Sequence, residues 1–283
     1  MKRTLGNVTL AGLSALAAAA SMGCFGRQSA ATLRVEPSKV TLAYPFDALL
    51  QVTWRPSRPL DRQHGNPRVF VHLLDERRRL LRTFDHALPE AWTPGRPQSY
   101  ELELYQSALA EPLRPGAYDL TFGLYDDSWG YRWPLSTAGP QVGKREYRLA
   151  TIVVPETAPP APTFAWTGSW GRAEAGSSKQ IPARRCLAGE ARLSPTLPGP
   201  GSIRLALTAE PGAEGVAPFE VTTSCRDGPP LAGTTGFQWI GIDVVGSAME
   251  RPCDIRLRPS SSGRVCLEAL AWRPEGARLT RGE

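Results

Sequence analysis

Glycine and proline interrupt this chain throughout, with 27 of each among its 283 residues. Both residue types break regular secondary structure, so the stretches between them are short and a fold built of long helices is excluded. Within those stretches, apolar and polar residues often alternate with the period of two that is typical of β-strands. Hydrophobic residues make up 41% of the chain, which is enough for a folded core. The sequence therefore predicts an all-β protein made of many short strands.

The first residues of the chain form the pattern of an export signal. Lys2 and Arg3 precede an apolar, alanine-rich run, Leu5–Ala20. A basic start followed by a short apolar run is typical of a secretory signal, and this run is shorter than the roughly 20 residues that a membrane-spanning helix needs. The run is followed by Ser21–Cys24, with the sequence SMGC, which resembles the lipobox of bacterial lipoproteins. This resemblance implies that Cys24 is lipidated and becomes the first residue of the mature chain.

Lipidation of Cys24 predicts where the mature protein resides. Residues 1–23 would be a cleaved signal peptide and residues 24–32 a short tether, so the protein would be exported and held by its lipid in the bacterial cell envelope, at the outer membrane or facing the periplasm. Cleavage after the Ala18–Ala20 run is the alternative, and it would leave Cys24 as a free thiol. The membrane is thus the first expected partner.

The remaining cysteines predict disulfides. Five cysteines are an odd number for an oxidising compartment, but lipidation of Cys24 leaves four, all in the second half of the chain: Cys186, Cys225, Cys253 and Cys266. Two bonds among four cysteines allow three pairings. The turn residues between Cys253 and Cys266 favour a bond between those two, which leaves Cys186 with Cys225. A zinc site is the alternative use of these cysteines, although their spacing contains no C-x-x-C pair.

A proline-rich segment divides the chain into two parts. Four prolines lie within residues 155–162 and favour an extended linker of roughly 25 Å. We therefore predict one domain over residues 33–154 and a second over residues 163–275, with residues 276–283 as a tail. In the first domain we expect strands at Leu33–Leu42, Ala48–Trp54, Arg68–Asp75, Leu80–Asp85, Tyr100–Leu104, Tyr118–Tyr125 and Tyr147–Val154. In the second we expect them at Phe164–Trp170, Ala191–Leu193, Ser202–Ala209, Phe219–Ser224, Gln238–Val245, Asp254–Leu257 and Arg264–Trp272.

Motifs in the first domain resemble a known kind of module. They occur in order as Val69–Asp75 (VFVHLLD), Trp92–Gly95 (WTPG), Leu113–Tyr118 (LRPGAY), Gly123–Asp126 (GLYD) and Gly130–Leu135 (GYRWPL). Together they resemble the immunoglobulin-like β-sandwich module attached to many bacterial membrane glycosyltransferases, which implies an accessory role. The runs Phe164–Trp170, Ala191–Leu193 and Arg264–Leu267 loosely resemble a jelly-roll sandwich of the carbohydrate-binding kind. We expect two tandem antiparallel β-sandwich domains, the first immunoglobulin-like and the second jelly-roll-like.

Aromatic residues supply the strongest candidate for a ligand site. Trp129, Tyr131 and Trp133 are spaced two apart, so an extended strand would place all three rings on one face, where they could stack on sugar rings. Arg132, which lies between two of them, could add directional hydrogen bonds. The alternative is that aromatic rings at this spacing fill the core of a sandwich.

Catalytic residues, metal ligands and cofactors are not predicted. The densest polar group consists of His72, Asp75, Asp85 and His86, which could bind a divalent ion if the strands that carry them fold together. We favour a structural role for it, because His72 is flanked by apolar residues and Asp75 begins a turn. There is no G-x-S-x-G motif for a nucleophilic serine, and the second domain contains no histidine.

The acidic and basic residues of the predicted strands are expected to be solvated. Glu101 and Glu103 alternate with the apolar face of their strand, so an acid-residue hydrolase is disfavoured. The net charge of +6 is spread along the chain, which argues against nucleic acid as a partner. The sequence therefore predicts a non-catalytic binding or scaffolding module of the cell envelope, with carbohydrate as its ligand. The alternative is a structural adaptor that docks another envelope protein.

Overall fold

The computed structural model describes residues 28–60, 66–88, 92–176, 178–179, 181–211, 217–244, 253–260 and 263–276. The regular secondary structure in these ranges consists entirely of β-strands, which form three sheets. The predicted all-β class is confirmed. Its physical basis is the alternation seen in the sequence, since β1 has the sequence ATLRVE and buries every second residue.

The first domain is a β-sandwich. Its strands are β1 (Ala31–Glu36), β2 (Lys39–Thr41), β3 (Asp47–Pro56), β4 (Pro67–Leu74), β5 (Leu80–Thr83), β6 (His86–Ala87), β7 (Gln98–Tyr105), β8 (Gly116–Asp126), β9 (Arg132–Trp133), β10 (Leu135–Ser136), β11 (Gln141–Gly143) and β12 (Glu146–Val154). One sheet has the order β10-β1-β3-β7, and the other has the order β11-β12-β8-β4-β5. Apolar side chains from both sheets share one core. The described strand pairs are antiparallel, except β1 with β10 and β2 with β12.

The burial of individual strands follows their sequence patterns. β4 is an interior strand of its sheet, between β8 and the edge strand β5, and its run VFVHLL is buried except for His72. A strand that is covered on both faces needs apolar residues at consecutive positions, so this interior placement agrees with the sequence. On β7, Leu102 and Leu104 enter the core, whereas Glu101 and Glu103 lie on the opposite face. That opposite face carries the candidate site described below.

The second domain consists of a single sheet. Its strands are β13 (Thr163–Ala175), β14 (Ala183–Thr196), β15 (Gly201–Ala209), β16 (Phe219–Thr223), β17 (Leu231–Ala232), β18 (Gly236–Val244), β19 (Ile255–Pro259) and β20 (Val265–Pro274). The order is β17-β16-β19-β14-β20-β15-β18, with β13 paired to β14. β14 pairs with β20 near its start and with β19 further along. Because side chains from β18, at one end of the order, and from β16, next to the other end, are buried in one core, the sheet folds over on itself.

The two domains pack directly against each other. The backbone N–H of Trp272, on β20, donates to the carbonyl of Pro45 at 2.9 Å. The rings of Tyr105 and Trp239 meet edge to face with their centroids 5.1 Å apart. Residues 155–162 contain no strand, and these contacts show that the linker does not hold the two bodies apart.

The second domain lies at one end of the first. β3 is ten residues long and spans about 33 Å. Asp47 at its beginning is hydrogen-bonded to Arg273 of the second domain, whereas Pro56 at its end pairs with Ala31, where β1 begins. The chain therefore enters the first domain at the end that is opposite to the second domain.

Candidate functional site

An open groove of about 1810 Å³ extends over the outer face of the sheet β10-β1-β3-β7. Its floor is formed by the side chains that alternate with the core positions of β1, β3 and β7. Six of the polar groups that line it are Thr32, Arg34, Lys39, Gln51, Ser99 and Glu101. Hydroxyl, amide and charged groups of both signs thus lie along one surface, beside apolar residues such as Leu49 and Val40. This mixture suits a ligand that has both hydroxyl groups and apolar faces.

Hydrogen bonds hold several of the polar side chains on the groove floor. The hydroxyls of Thr53 and Ser99 lie 2.8 Å apart on the neighbouring strands β3 and β7. Gln51 donates from Nε2 to the carbonyl of Tyr100 at 3.2 Å. Because side chains that are already fixed lose less conformational freedom when a ligand binds, this arrangement favours recognition.

At the interdomain end of this sheet, two carboxylates of the first domain meet two arginines of the second. The Asp47 side chain is fully buried and accepts hydrogen bonds from both Nε and Nη2 of Arg273, the former at 3.2 Å. Glu103 accepts from Nε of Arg204 at 3.1 Å and from Nη2 at 2.7 Å. Arg273 also approaches Glu103 to 3.4 Å, so the four groups form one ion cluster across the interface.

The ion cluster shifts the ionisation of its members. Burial raises the pKa of the Asp47 carboxyl to about 7; Arg273 acts against this rise and Glu103 adds to it. Burial lowers the pKa of the Arg204 guanidinium, but the Glu103 and Asp47 carboxylates outweigh it and the net pKa is raised. The expectation that Glu103 is solvated is wrong, because the second domain covers it. Its partner Arg204 lies 101 residues further along the chain, and no local pattern marks such a pair.

The aromatic residues predicted as a ligand platform are not brought together on one exposed face. Trp133 is only 2% exposed and belongs to the core of the first domain. Tyr131 is half-buried and packs edge to face on Trp133 at 5.3 Å. Trp129 is 77% exposed and lies in the turn before β9. Arg132 is half-buried and donates a hydrogen bond to Glu146 at 3.3 Å. A spacing of two residues places side chains on one face only within an extended strand. Here β9 is only two residues long, so Trp129 lies outside it.

His72 is held by a carboxylate that the sequence did not single out. Glu146 accepts hydrogen bonds from His72 Nδ1 at 3.2 Å, Thr121 Oγ1 at 2.7 Å and Arg132 Nη1 at 3.3 Å. Burial raises the pKa of Glu146, but these hydrogen bonds and the nearby cations outweigh it and lower the pKa to about 2. His72 Nε2 lies 3.9 Å from Asp85. The hydrogen bond to Glu146 fixes the His72 ring on β4, which is the structural role expected for this histidine.

The other members of the predicted polar group have separate roles. His86 is bonded through Nδ1 to a backbone carbonyl at 2.9 Å and through Nε2 to the Tyr100 hydroxyl at 2.5 Å. Asp75 accepts the backbone N–H groups of Arg77 and Arg79 at 2.9 and 2.8 Å, which closes the turn between β4 and β5. Over the described part of the chain, no three histidine, cysteine or acidic side chains gather in a way that could hold a metal ion.

The disulfides are present, but the pairing favoured from the sequence is wrong. The bonds join Cys186 to Cys266 and Cys225 to Cys253. Cys186 and Cys266 are directly opposite each other on β14 and β20. The sequence predicted only Ala191–Leu193 of β14 as a strand, so the start of β14, which carries Cys186, was missed. Two disulfides fit an oxidising compartment outside the cytoplasm.

The predicted signal, the lipidated Cys24 and most of the tail lie outside the described residues. The described residues include no helix that is both long and apolar enough to cross a membrane.

Comparisons with known proteins assign no family. Neither a protein-family model nor a curated protein matches the chain. The mosquito-larvicidal Cry4Aa toxin of Bacillus thuringiensis is similar over 88% of this chain and 53% of the toxin chain, with 9% identity and a TM-score of 0.30. The β-glucuronidase of Bacteroides uniformis is similar over 84% of this chain and 30% of the enzyme chain, with 11% identity and a TM-score of 0.22. A xanthan lyase of Paenibacillus is similar over 81% of this chain and 23% of the lyase chain, with 10% identity and a TM-score of 0.28. The chain therefore spans about a quarter to a half of each, and similarities this distant assign no function.

Proposed function

We propose that this protein is a lipid-anchored, non-catalytic binding protein of the bacterial cell envelope, and that its ligand is a carbohydrate bound in the groove over the sheet β10-β1-β3-β7. The observation that carries the proposal is the groove itself, with its large volume and the row of polar side chains among its lining residues. We assign the ligand to this groove rather than to the aromatic residues, because only Trp129 among those residues is well exposed.

Carbohydrate is favoured by the chemistry of the groove floor. A sugar presents many hydroxyl groups, each of which donates and accepts hydrogen bonds, and the groove offers both kinds of partner. Gln51 supplies an amide, Ser99 a hydroxyl and Glu101 a carboxylate within two adjacent strands. The register places Gln51 directly opposite Glu101, so the two side chains lie on the same face and can act on one ligand.

A glycan array tests the carbohydrate proposal on the full chain carrying Cys24→Ser, which removes the anchor. We expect binding to at least one glycan class and a loss of about tenfold or more in affinity for Gln51→Ala and for Glu101→Gln, because each removes a direct polar contact. Gln238→Ala and Glu220→Gln, on β18 and β16 of the second domain, are the matched controls and should bind as well as the parent. Unchanged binding by both groove variants would place the ligand elsewhere.

Lipidation of Cys24 is tested separately by the mass of the N-terminal peptide. Protein extracted from membranes should carry a diacylglyceryl thioether at Cys24, and the Cys24→Ser variant should carry no lipid at this position. An unmodified thiol at Cys24 in membrane-extracted protein would contradict the lipid anchor. It would not bear on the groove, which the glycan array tests.

The second candidate function is an adaptor that docks another envelope protein, and strand β13 favours it. β13 is 13 residues long and, among the described strands, pairs only with β14. An open strand edge can take up an extended segment of a partner by backbone hydrogen bonding. Trp166 and Trp170 on this strand are half-buried, with ring centroids 4.9 Å apart. A glycan array without any signal would make this adaptor function the better candidate.

A further inference from the structure

The chain enters the first domain beside the hairpin that joins β8 to β9. The N–H of Ala30 donates to the carbonyl of Pro134 at 2.7 Å, and Ala31 pairs with Leu135. Trp133 precedes Pro134 directly and pairs with Leu124 near the end of β8. The tip of the hairpin therefore projects from the same end of the domain at which the N-terminal part of the chain arrives.

Trp129 lies at the tip of this hairpin and is 77% exposed. The turn beneath it is well ordered by hydrogen bonds, because Asp126 Oδ1 accepts the N–H groups of Ser128 at 2.8 Å and Trp129 at 2.9 Å. The N–H of Gly130 donates to the carbonyl of Asp126 at 3.0 Å, and the positive φ of Gly130, 65°, suits glycine. The fold thus presents an indole to solvent on a turn that is held by hydrogen bonds, where the ring is available for contact with an apolar or interfacial surface.

Cationic side chains accompany Trp129 at this end. Arg55 is exposed one residue before the end of β3, and Arg96 is exposed beside Gly95, whose N–H donates to the carbonyl of Pro56 at the end of β3. Arg68, half-buried, pairs across to Tyr125 near the end of β8. The acids of the hairpin are Asp126, which is buried in its turn, and Asp127, which accepts the N–H of Asn66 at 3.1 Å. An exposed indole and exposed arginines at the same end of the domain match the interface of an anionic bilayer.

We propose that this end of the first domain rests on the membrane, with Trp129 in the interfacial region of the bilayer and Arg55 and Arg96 near anionic headgroups. The proposal rests on the anchor at Cys24 given in the proposed function. Three residues separate Cys24 from Gln28, the first described residue, so the four steps from one Cα to the next span at most about 14 Å. The second domain then lies on the far side of the first, directed away from the lipid.

Vesicle binding by the mature chain, residues 24–283 carrying Cys24→Ser, tests this contact without the lipid and without the apolar run Leu5–Ala20. The probe is a vesicle of equal parts phosphatidylethanolamine and phosphatidylglycerol, followed by flotation over a range of lipid concentrations. We expect measurable binding and a loss of about tenfold in partitioning for Trp129→Ala. Phe237→Ala is the matched control, since Phe237 is the other large exposed apolar side chain of the described residues, at 48%, and lies in the second domain. Its partitioning should equal that of the parent.

Two results would overturn the proposal. One is the absence of binding by the Cys24→Ser parent at every lipid concentration, and the other is equal partitioning of Trp129→Ala and the parent. The combined variant Arg55→Gln/Arg96→Gln should weaken binding to the anionic vesicles and leave binding to phosphatidylcholine vesicles unchanged. Because the anchor is absent from all of these proteins, an unmodified Cys24 in the native protein would overturn the anchor without affecting this result.

Discussion

Replacement of Arg273 by alanine should destabilise the folded protein by about 3–5 kcal/mol at about pH 8, where the Asp47 carboxyl is ionised, since this is the usual cost of removing one partner from a buried ion pair. Asp47 would keep its buried position and lose both hydrogen bonds from Arg273. The remaining guanidinium, Arg204, lies 4.0 Å from Asp47 and is already bonded to Glu103. Urea unfolding, followed by tryptophan fluorescence, measures the change in the free energy of unfolding.

The pH dependence of this destabilisation provides an internal check. Because the pKa of Asp47 is about 7 in the folded protein and 3.8 in an unfolded chain, Asp47 makes stability fall as the pH rises through this interval. Without Arg273 the pKa should rise further, so the cost of Arg273→Ala should be larger at about pH 8 than at about pH 5. Arg172→Ala, at an exposed arginine on β13, is the control and should change stability by less than about 0.5 kcal/mol. A cost for Arg273→Ala below about 1 kcal/mol at both pH values would contradict a buried ion cluster.

Loss of the Cys186–Cys266 disulfide should be the other large effect. This bond closes a loop with a sequence separation of 80, and the Cys225–Cys253 bond closes one of 28. Chain entropy predicts a cost of about 4.5 kcal/mol for Cys186→Ala/Cys266→Ala and about 3.6 kcal/mol for Cys225→Ala/Cys253→Ala. Urea unfolding of the two double variants against the oxidised parent tests both the size and the order of these effects.

Peptide mapping without reduction provides the matching structural test. It should find a peptide that joins Cys186 to Cys266 and no peptide that joins Cys253 to Cys266. The opposite finding would contradict the direct opposition of Cys186 and Cys266 on β14 and β20.

The local sequence pattern was sufficient to predict the positions of most of the strands. Tyr118–Tyr125 was predicted where β8 runs from Gly116 to Asp126, and Ser202–Ala209 was predicted where β15 runs from Gly201 to Ala209. Both runs place a large apolar residue at every second position, at Tyr118, Leu120, Phe122 and Leu124 in one and at Ile203, Leu205 and Leu207 in the other. Such spacing specifies which face enters a core. β14 was mostly missed because its first half, with the sequence ARRCLAGE, has no such alternation. It becomes a strand because β13 and β20 pair with it on either side.

The candidate site, unlike most of the strands, could not be predicted from the sequence and was found only in the tertiary structure. Gln51 and Ser99 carry no motif, and they share a surface only because β3 and β7 pair in this register. The platform prediction treated Trp129–Trp133 as one extended strand, whereas the turn closed by Asp126 separates Trp129 from the two rings that pack inward.

The sequence by itself determined the all-β class and most strand positions, because these follow from the residues of one short segment and their period. It also supplied the predictions of export and lipidation, which depend on a continuous motif near Cys24. Only the tertiary structure decided the disulfide partners, the ion cluster of Asp47 with Arg273, and the direct packing of the two domains. Each of these joins residues that are from 28 to 227 positions apart in the chain. Such contacts arise from the way whole sheets pack, and no local pattern of residues encodes them.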